Sequence, residues 1–441
     1  MTLAELKEIA KKGGVVGAGG AGFPSYAKMT DKADTVILNC VECEPLLKLH
    51  RQLLALHASE IVKMLDLVRE SLNASEAVIG IKSEYKETIN ALKGVIDKYD
   101  KVRIHELKAA YPMGDEVVLI YEVTGRVISP GGLPIDENVV VFNVETMYNL
   151  YRAAFEEAGV SDKLVSIVGE IDSPKTLRLP LGMSVKDAVR AAGKVTTEKP
   201  AYLMGGPMMG RIGSESTVIT KTTNAIIILP EDHKLVRSAD KDIKNEKRRA
   251  SSACCQCRTC TDLCSRHALG HPIEPHRIMR AVANNDASDL SVFVNAMYCS
   301  GCGICEKYAC PQGLSPKTII QEFKAALRKG GVKMEKTDPG SVSKGREERK
   351  VPVHRLSHRL GLGVYDREAP IDDECKGASI VKIPLSQHIG KPAEALVNVG
   401  DRVKKGQLIA QAAEGLSVNI HSSIDGVVTA VTDSDITIKE N

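Results

Sequence analysis

Along the first 160 positions, apolar residues alternate between short unbroken runs and helical spacing. Val36–Val41 is a run of the kind a buried strand shows, and Ala77–Ile81 and Val102–Leu107 read as further strands. Between Leu46 and Leu72, by contrast, Leu49, Leu53, Leu56, Met64, Leu67 and Val68 recur at steps that place them on one helical face, and Glu84–Lys98 reads as a further helix. Thr2 and Glu5 spell a capping box for a first helix that Gly13-Gly14 ends. Strand–helix alternation of this kind predicts a three-layer α/β unit over 1–160.

The pattern then shortens. Leu164–Val168, a helix at Ser184–Ala192 and a strand at Ala225–Leu229, punctuated by Gly205-Gly206-Pro207, predict a small α+β module over 161–237. Ser238–Ser252, with Lys247-Arg248-Arg249, reads as a charged, solvated connector. Short helices and most of the cysteines occupy 250–330. The stretch 331–372 is expected as a linker, mobile over Lys329–Lys350 because Lys, Glu, Gly and Ser dominate it. Over 373–441, short apolar segments separated by turns at Gly390, Gly400-Asp401, Lys405-Gly406 and Asp425-Gly426 predict a compact β module.

Composition narrows the function classes. A net charge of +3 lacks the basic excess of a general nucleic-acid surface, so no nucleic-acid partner is expected. No apolar run approaches the ~20 residues a membrane span needs, and the N-terminal stretch contains acids, unlike an export signal. A cytoplasmic protein without a membrane span is the expectation.

Twelve cysteines in such a chain point to metal rather than disulfides, the more so because nine lie from Cys254 to Cys310, all but Cys255 at regular short gaps. They form two groups, Cys254-x2-Cys257-x2-Cys260-x3-Cys264 and Cys299-x2-Cys302-x2-Cys305-x4-Cys310-Pro311. Three thiolates at two-residue gaps wrap one side of a cubane and leave the fourth ligand to come from farther away. In two-cluster ferredoxins that fourth ligand serves the other cluster. Two 4Fe–4S clusters are therefore expected, one on Cys254, Cys257, Cys260 and Cys310, the other on Cys299, Cys302, Cys305 and Cys264. Structural zinc commonly uses pairs separated by longer stretches, which fits triplets poorly. The second group has one residue more than the ferredoxin spacing before its last Cys, and Ser265 stands where the first would carry proline. Cys255 is a spare thiol. His267, His271 and His276 flank the first group and are read as packing or surface residues.

Gly17, Gly19, Gly20 and Gly22 make a dense loop before Phe23-Pro24 whose amides can approach a phosphate or ring closely. It is not a P-loop, and no clear strand precedes it as a dinucleotide fingerprint requires. Gly17–Met29, Asn39–Pro45, Gly114-Asp115-Glu116 and Asn143–Met147, taken in order, resemble the flavin- and NADH-binding subunit of respiratory complex I. They resemble the C component of the Rnf electron-transport complex still more. That resemblance implies FMN on the glycine loop, with Lys28, Asn39, Glu42, Asn143 and Thr146 near the isoalloxazine and phosphate. It also implies nicotinamide stacking near Phe23, with Glu44 and Glu116 close by. The sequence departs from the complex I subunits at Ala18, where they carry Arg, and at Cys43, where they carry Ser.

The order of the whole chain, with the likeness of a barrel-sandwich module at Ile383–Val431 placed last, is similar to the cobalamin reductases of propanediol-utilising microcompartments. The resemblance implies a multidomain α/β protein: a Rossmann-like flavin domain, a β-grasp soluble-ligand-binding module, a ferredoxin-like two-cluster helical domain and a C-terminal barrel-sandwich β module. No Lys lies between 406 and 437, which excludes a covalently attached swinging cofactor on that last module. The function implied is electron transfer from NADH through FMN and the two clusters to a corrinoid. A partner reductase or adenosyltransferase and microcompartment shell proteins are the expected company. The competing class is a non-enzymatic relay subunit of an Rnf-like or amino-acid (proline) reductase complex. No catalytic side chain is expected, because the cofactors supply the chemistry.

Overall fold

The computed structural model describes residues 1–440. Its first helix, Leu3–Lys12, begins at the capping box: Glu5 N donates to Thr2 Oγ1 at 3.3 Å and Thr2 N to the Glu5 carboxylate at 2.8 Å. Four parallel strands follow, in the spatial order Val102–Leu107, Glu76–Lys82, Thr35–Cys40, Val139–Asn143. The period-two geometry of a strand sends alternate residues to opposite faces. Val36 and Leu38 enter one apolar core beneath the helices Leu49–Leu56 and Ala58–Ser71, while Ile37 and Val78 enter another beneath Glu116–Thr124. Burial on both faces explains why the central strands Thr35–Cys40 and Glu76–Lys82 read as apolar runs, whereas the edge strand Val102–Leu107 carries exposed Arg103 and Glu106. Each such side chain contributes about 1.5–3 kcal/mol.

A six-stranded mixed sheet follows, ordered Ile371–Cys375, Lys175–Pro180, Asp162–Gly169, Ala225–Pro230, Pro200–Met204, Arg211–Gly213. The helix Val185–Ala192, capped by the Ser184 side chain on Asp187 N, packs on it. Around the cysteines, the helices Ile243–Ala253, Pro275–Ala283 and Pro316–Lys329 share a small core of Ala250, Ile278, Ile319 and Ile320. Two facing sheets of short strands make the C-terminal sandwich, whose Val381, Ile383, Ile436 and Ile438 are almost fully buried.

Two expectations about connectors are corrected. The segment 331–372 is not free. Thr337 N donates to Pro130 O, Gly340 N to Gly270 O and Ser343 N to Ala268 O. Val351-Pro352 pairs with Ala110-Tyr111, and Leu356, Leu360 and Leu362 join a core. Its last residues begin the outer strand of the six-stranded sheet, pairing Ile371 with Thr176. The segment is thus a strap whose backbone groups find partners on three units. The connector Ser238–Ser252, for its part, is largely the helix Ile243–Ala253. Asp242 caps it on Lys244 N, and Ala250 and Glu246 are buried on one side.

Candidate functional site

The glycine loop is closed at its base by Gly17 N donating to Phe23 O at 2.9 Å. Ala18 N donates to Thr146 Oγ1 at 2.9 Å, which pins the loop to the start of the helix Val144–Phe155. Among the described residues, the amides of Gly19, Gly20, Ala21 and Gly22 have no protein acceptor, and the tip from Gly19 to Ala21 is exposed. A Cβ at Gly19 would lie 2.5 Å from Asn143 Nδ2, and at Gly22 the backbone φ of +73° favours glycine. Unpaired amides above a crowded floor are what an anionic group requires.

Around that floor, Asn39 Nδ2 donates to Gly114 O at 3.0 Å. Lys28 Nζ lies 3.3 Å from Val141 O and 3.6 Å from the Glu116 carboxylate. Asn143 caps its helix on Glu145 N and approaches the His50 ring at 3.2 Å. Glu42 spends one oxygen on His50 N at 2.9 Å, capping the helix Leu49–Leu56, and its other oxygen is 3.5 Å from the His50 ring. The structure thus gathers Gly19, Asn143, Thr146 and Glu42 with His50. Helical spacing alone carries no sign that His50 belongs there. Burial holds its pKa below the ordinary histidine value, against the pull of Glu42 and Glu145.

Glu44 stands apart. One carboxylate oxygen accepts from Met208 N at 2.8 Å, in the Gly205–Met208 turn of the second unit, and the other is buried without a partner. Burial pushes its pKa up to about 7 despite that hydrogen bond and the nearby Lys307 and Lys317. Cys40 lies in the apolar core, and burial raises its thiol far above the ordinary range. Burial pushes Cys43 up to about 12. Both remain neutral thiols, as packing residues do.

All eight cysteines of the two groups are free thiols. Cys260 is pushed up to about 12 by burial and then by Cys257, Cys254 and Cys310 around it. Cys264 is pushed to about 12 by burial, Cys302 and Cys299, and Cys305 is raised by burial, Cys299, Cys302 and Cys264. The sulfurs therefore gather as two quartets, each taking its fourth member from the other sequence group. The turns that shape them need unusual backbone: Gly301 and Gly303 have positive φ, and so do the non-glycine residues Gln256 and Arg258. Several donors point at sulfur, among them Gly301 N to Cys299 at 3.3 Å, Leu314 N to Cys310 at 3.3 Å and Thr259 Oγ1 to Cys257 at 3.3 Å. Four thiols so placed, one or two in each quartet accepting a hydrogen bond, fit the donor set a four-iron cluster takes. Among the described residues, no three His, Cys, Asp or Glu side chains, these thiols included, stand close enough to share a single metal ion.

The quartet of Cys264, Cys299, Cys302 and Cys305 adjoins the flavin-like unit. Tyr111 OH donates to Cys302 O at 2.7 Å, and Arg266 pairs with both oxygens of Asp115 at 2.9 Å. The quartet of Cys254, Cys257, Cys260 and Cys310 faces outward, with Cys257 and the spare Cys255 exposed. Of the flanking histidines, His271 is buried against Ile128 O at 3.0 Å and His276 bonds Thr261 Oγ1 at 2.8 Å, so both are packing groups. His267 is partly buried, with its Nδ1 unpartnered.

Four family models match the chain: a Nuo51 FMN-binding domain over residues 10–152, an SLBB domain over 164–212, a 4Fe-4S dicluster domain over 253–315 and an RnfC barrel sandwich hybrid domain over 366–441. The cobalamin reductase PduS of Salmonella typhimurium is 39% identical over 98% of this chain and 96% of its own length, and that of Citrobacter freundii is 37% identical over the same shares. The C component of the Na(+)-translocating ferredoxin:NAD(+) oxidoreductase complex of Acetobacterium woodii is 28% identical over 59% of this chain and 58% of its own. An NAD+-reducing [NiFe]-hydrogenase structure aligns with 75% of this chain and 62% of its own at a TM-score of 0.48 and 20% identity.

Proposed function

The chain belongs to the family of the PduS cobalamin reductases, and on that premise we propose that it is an NADH-dependent reductase passing electrons by way of FMN and two 4Fe–4S clusters to a corrinoid. FMN and 4Fe–4S electron-transfer domains are part of the chain. The donor, the cluster count and the acceptor are the proposal. When bound, the flavin supplies the exchange between electron pairs and single electrons that a nicotinamide donor and a one-electron acceptor demand.

In this reading the free amides of Gly19, Gly20 and Gly22, within the loop that Gly17 begins, hold the FMN phosphate. Lys28, Asn39, Glu42, Asn143 and Thr146 hold its phosphate and ring. Phe23, Glu44 and Glu116 border the nicotinamide. Glu44, with a pKa near neutrality and an unpaired oxygen, can take up or release a proton at Oε1 as charge changes nearby. Cys264, Cys299, Cys302 and Cys305 ligate one cluster, and Cys254, Cys257, Cys260 and Cys310 the other. The observation that carries the reading is the join between units: the buried quartet is bonded through Tyr111 and Arg266 to the unit bearing the glycine loop.

The test is anaerobic NADH oxidation by the pure protein, comparing a corrinoid with an artificial dye as acceptor. Corrinoid-dependent NADH consumption is the expected result. A protein that only a partner protein can reduce would be the relay subunit instead. The same membership suggests a cytoplasmic location inside a microcompartment, with shell proteins and an adenosyltransferase as neighbours. Co-purification with intact compartments checks this, and recovery only in the free cytosol contradicts it.

A further inference from the structure

The basic run Lys247-Arg248-Arg249, which sequence alone reads as a solvated connector, lies on the helix that delivers Cys254 to the exposed quartet. Over this helix and the following loop stand five cations, Lys244, Lys247, Arg248, Arg249 and Arg258, against one carboxylate, Glu246. Glu246 is buried and already engaged by Arg249 at 2.9 Å and by Ser315. Lys244, Arg248, Arg249 and Arg258 are exposed, as are Cys255 and Cys257 beside them. Among the described residues, Lys244, Lys247 and Arg248 have no carboxylate within ion-pairing distance, the nearby pairs being Arg249 with Glu246 and Arg258 with Asp262.

The placement is local, because the whole chain carries only +3. Arg249 also donates to Gly313 O at 3.0 Å, which holds the basic helix against the loop that follows Cys310. A shallow groove beside the helix is floored by Phe293 and Phe323, 4.8 Å apart, with the Lys247 ammonium 5.3 Å from the Phe323 ring. Asp242 at the helix start, Asp262 on Arg258 and Asp286 across the groove offset part of this charge but form no ion pair with Lys244, Lys247 or Arg248. The net positive field left beside an exposed redox centre steers anions toward that centre and speeds their encounter. The helix alone spans about 16 Å, and the cations continue past its end to Arg258. That is a footprint for a protein surface rather than a pocket for one small molecule.

We propose that this face docks an acidic protein that takes electrons from the exposed quartet. The inference rests on the electron-transfer reading above and adds to it the exit point and the charge of the partner. Each encounter oxidises the exposed cluster by one electron and reduces the partner's centre by one, and no bond or proton is exchanged. The reductant is the one already proposed for the flavin-like unit.

The experiment uses the full chain, prepared without oxygen. Its affinity for oxidised flavodoxin, a small acidic one-electron carrier, is measured by calorimetry at low and high salt, with basic cytochrome c as the comparison. At low salt, flavodoxin is expected to bind at least about tenfold tighter than at high salt and tighter than cytochrome c. The exposed double variant Lys244→Glu/Arg248→Glu should lose about tenfold in affinity while keeping its iron and flavin. Salt-independent binding, equal binding of cytochrome c, or an unaffected double variant overturns the docking face. Iron and sulfide assayed on the same samples separate the failures: iron-free protein overturns the electron-transfer reading, whereas iron-replete protein with salt-independent binding overturns only the docking face.

Discussion

The two cysteine quartets have the same chemistry and different surroundings: Cys305 is buried and Cys257 exposed, while the other six cysteines are partly buried. Cys264, Cys299, Cys302 and Cys305 sit where three units meet, with Tyr111 and the Asp115–Arg266 pair on one side and the Gly205–Met208 turn nearby, Gly303 lying 3.3 Å from Met208 O at its Cβ position. Cys254, Cys257, Cys260 and Cys310 line an outer pocket with Gln256 and Pro311. Burial lowers the local dielectric, and solvent exposure raises it, so identical clusters would carry different potentials. In the proposed electron route, position rather than ligand type distinguishes the quartet that receives electrons from the one that gives them away.

The strongest way to break this comparison is to delete a ligand from each side. Cys302→Ala and Cys257→Ala should each lose about half the iron, since each removes one cluster of two. Only Cys302→Ala should also lower the melting temperature by several degrees, because it disturbs a three-unit junction. Iron assay and calorimetry check both, and equal melting temperatures would contradict the asymmetry.

Next in size is the tie between the buried quartet and the flavin-like unit. Asp115→Asn keeps the cap on the helix Glu116–Thr124 but leaves Arg266, only 18% exposed, without its charge partner. Breaking a largely buried pair costs about 3 kcal/mol, read as a drop in guanidinium unfolding stability. Arg258, its exposed counterpart beside the outer quartet and paired with Asp262 at 3.3 Å, should change stability by under about 1 kcal/mol when replaced by Gln.

A third contrast uses acid. His421, in the C-terminal sandwich against Gly159, is held at about 4 by burial and by the neighbouring Lys221 cation. Its folded pKa lies below the ordinary value near 6.5, so the unfolded chain binds the proton first. Stability from this group is full above about pH 6.5 and falls as pH drops toward 4, with about 2 kcal/mol gone by about pH 5. His421→Gln should flatten that slope in urea titrations run near neutrality and near pH ~5, without change in iron content. A smaller effect is that of Tyr111→Phe, which removes the hydrogen bond to Cys302 O and should cost about 1 kcal/mol.

Much of the architecture is legible in the chain because it rests on local regularities. Apolar runs mark the two-face-buried strands, and the Thr2–Glu5 box marks a helix start that the structure reproduces. The two-residue gaps call for a distant fourth ligand, and the ferredoxin rule that it comes from the other run gives the crossed grouping. What joins the units is not legible. Tyr111 meets Cys302 across 191 residues, and Lys221 reaches Gly14 O across 207, with no periodic signal to connect them. The strap 331–372 looks unstructured because its partners are distant in sequence: backbone groups bond Pro130, Gly270 and Ala268, and Arg346 and Lys350 both reach Glu122. His50 is hidden in a helical stripe for a related reason: spacing places it on a face, but only the fold sets Glu42 and Asn143 beside it.

The central claim is that electrons reach the buried quartet first and leave by the exposed one. Rapid-freeze paramagnetic resonance after anaerobic mixing with NADH tests it directly on two ligand variants. Cys257→Ala protein, with only the inner cluster, is expected still to show that cluster reduced at the earliest time. Cys302→Ala protein should show the exposed cluster reduced at least about a hundredfold more slowly. Fast reduction in Cys302→Ala with none in Cys257→Ala would contradict the order.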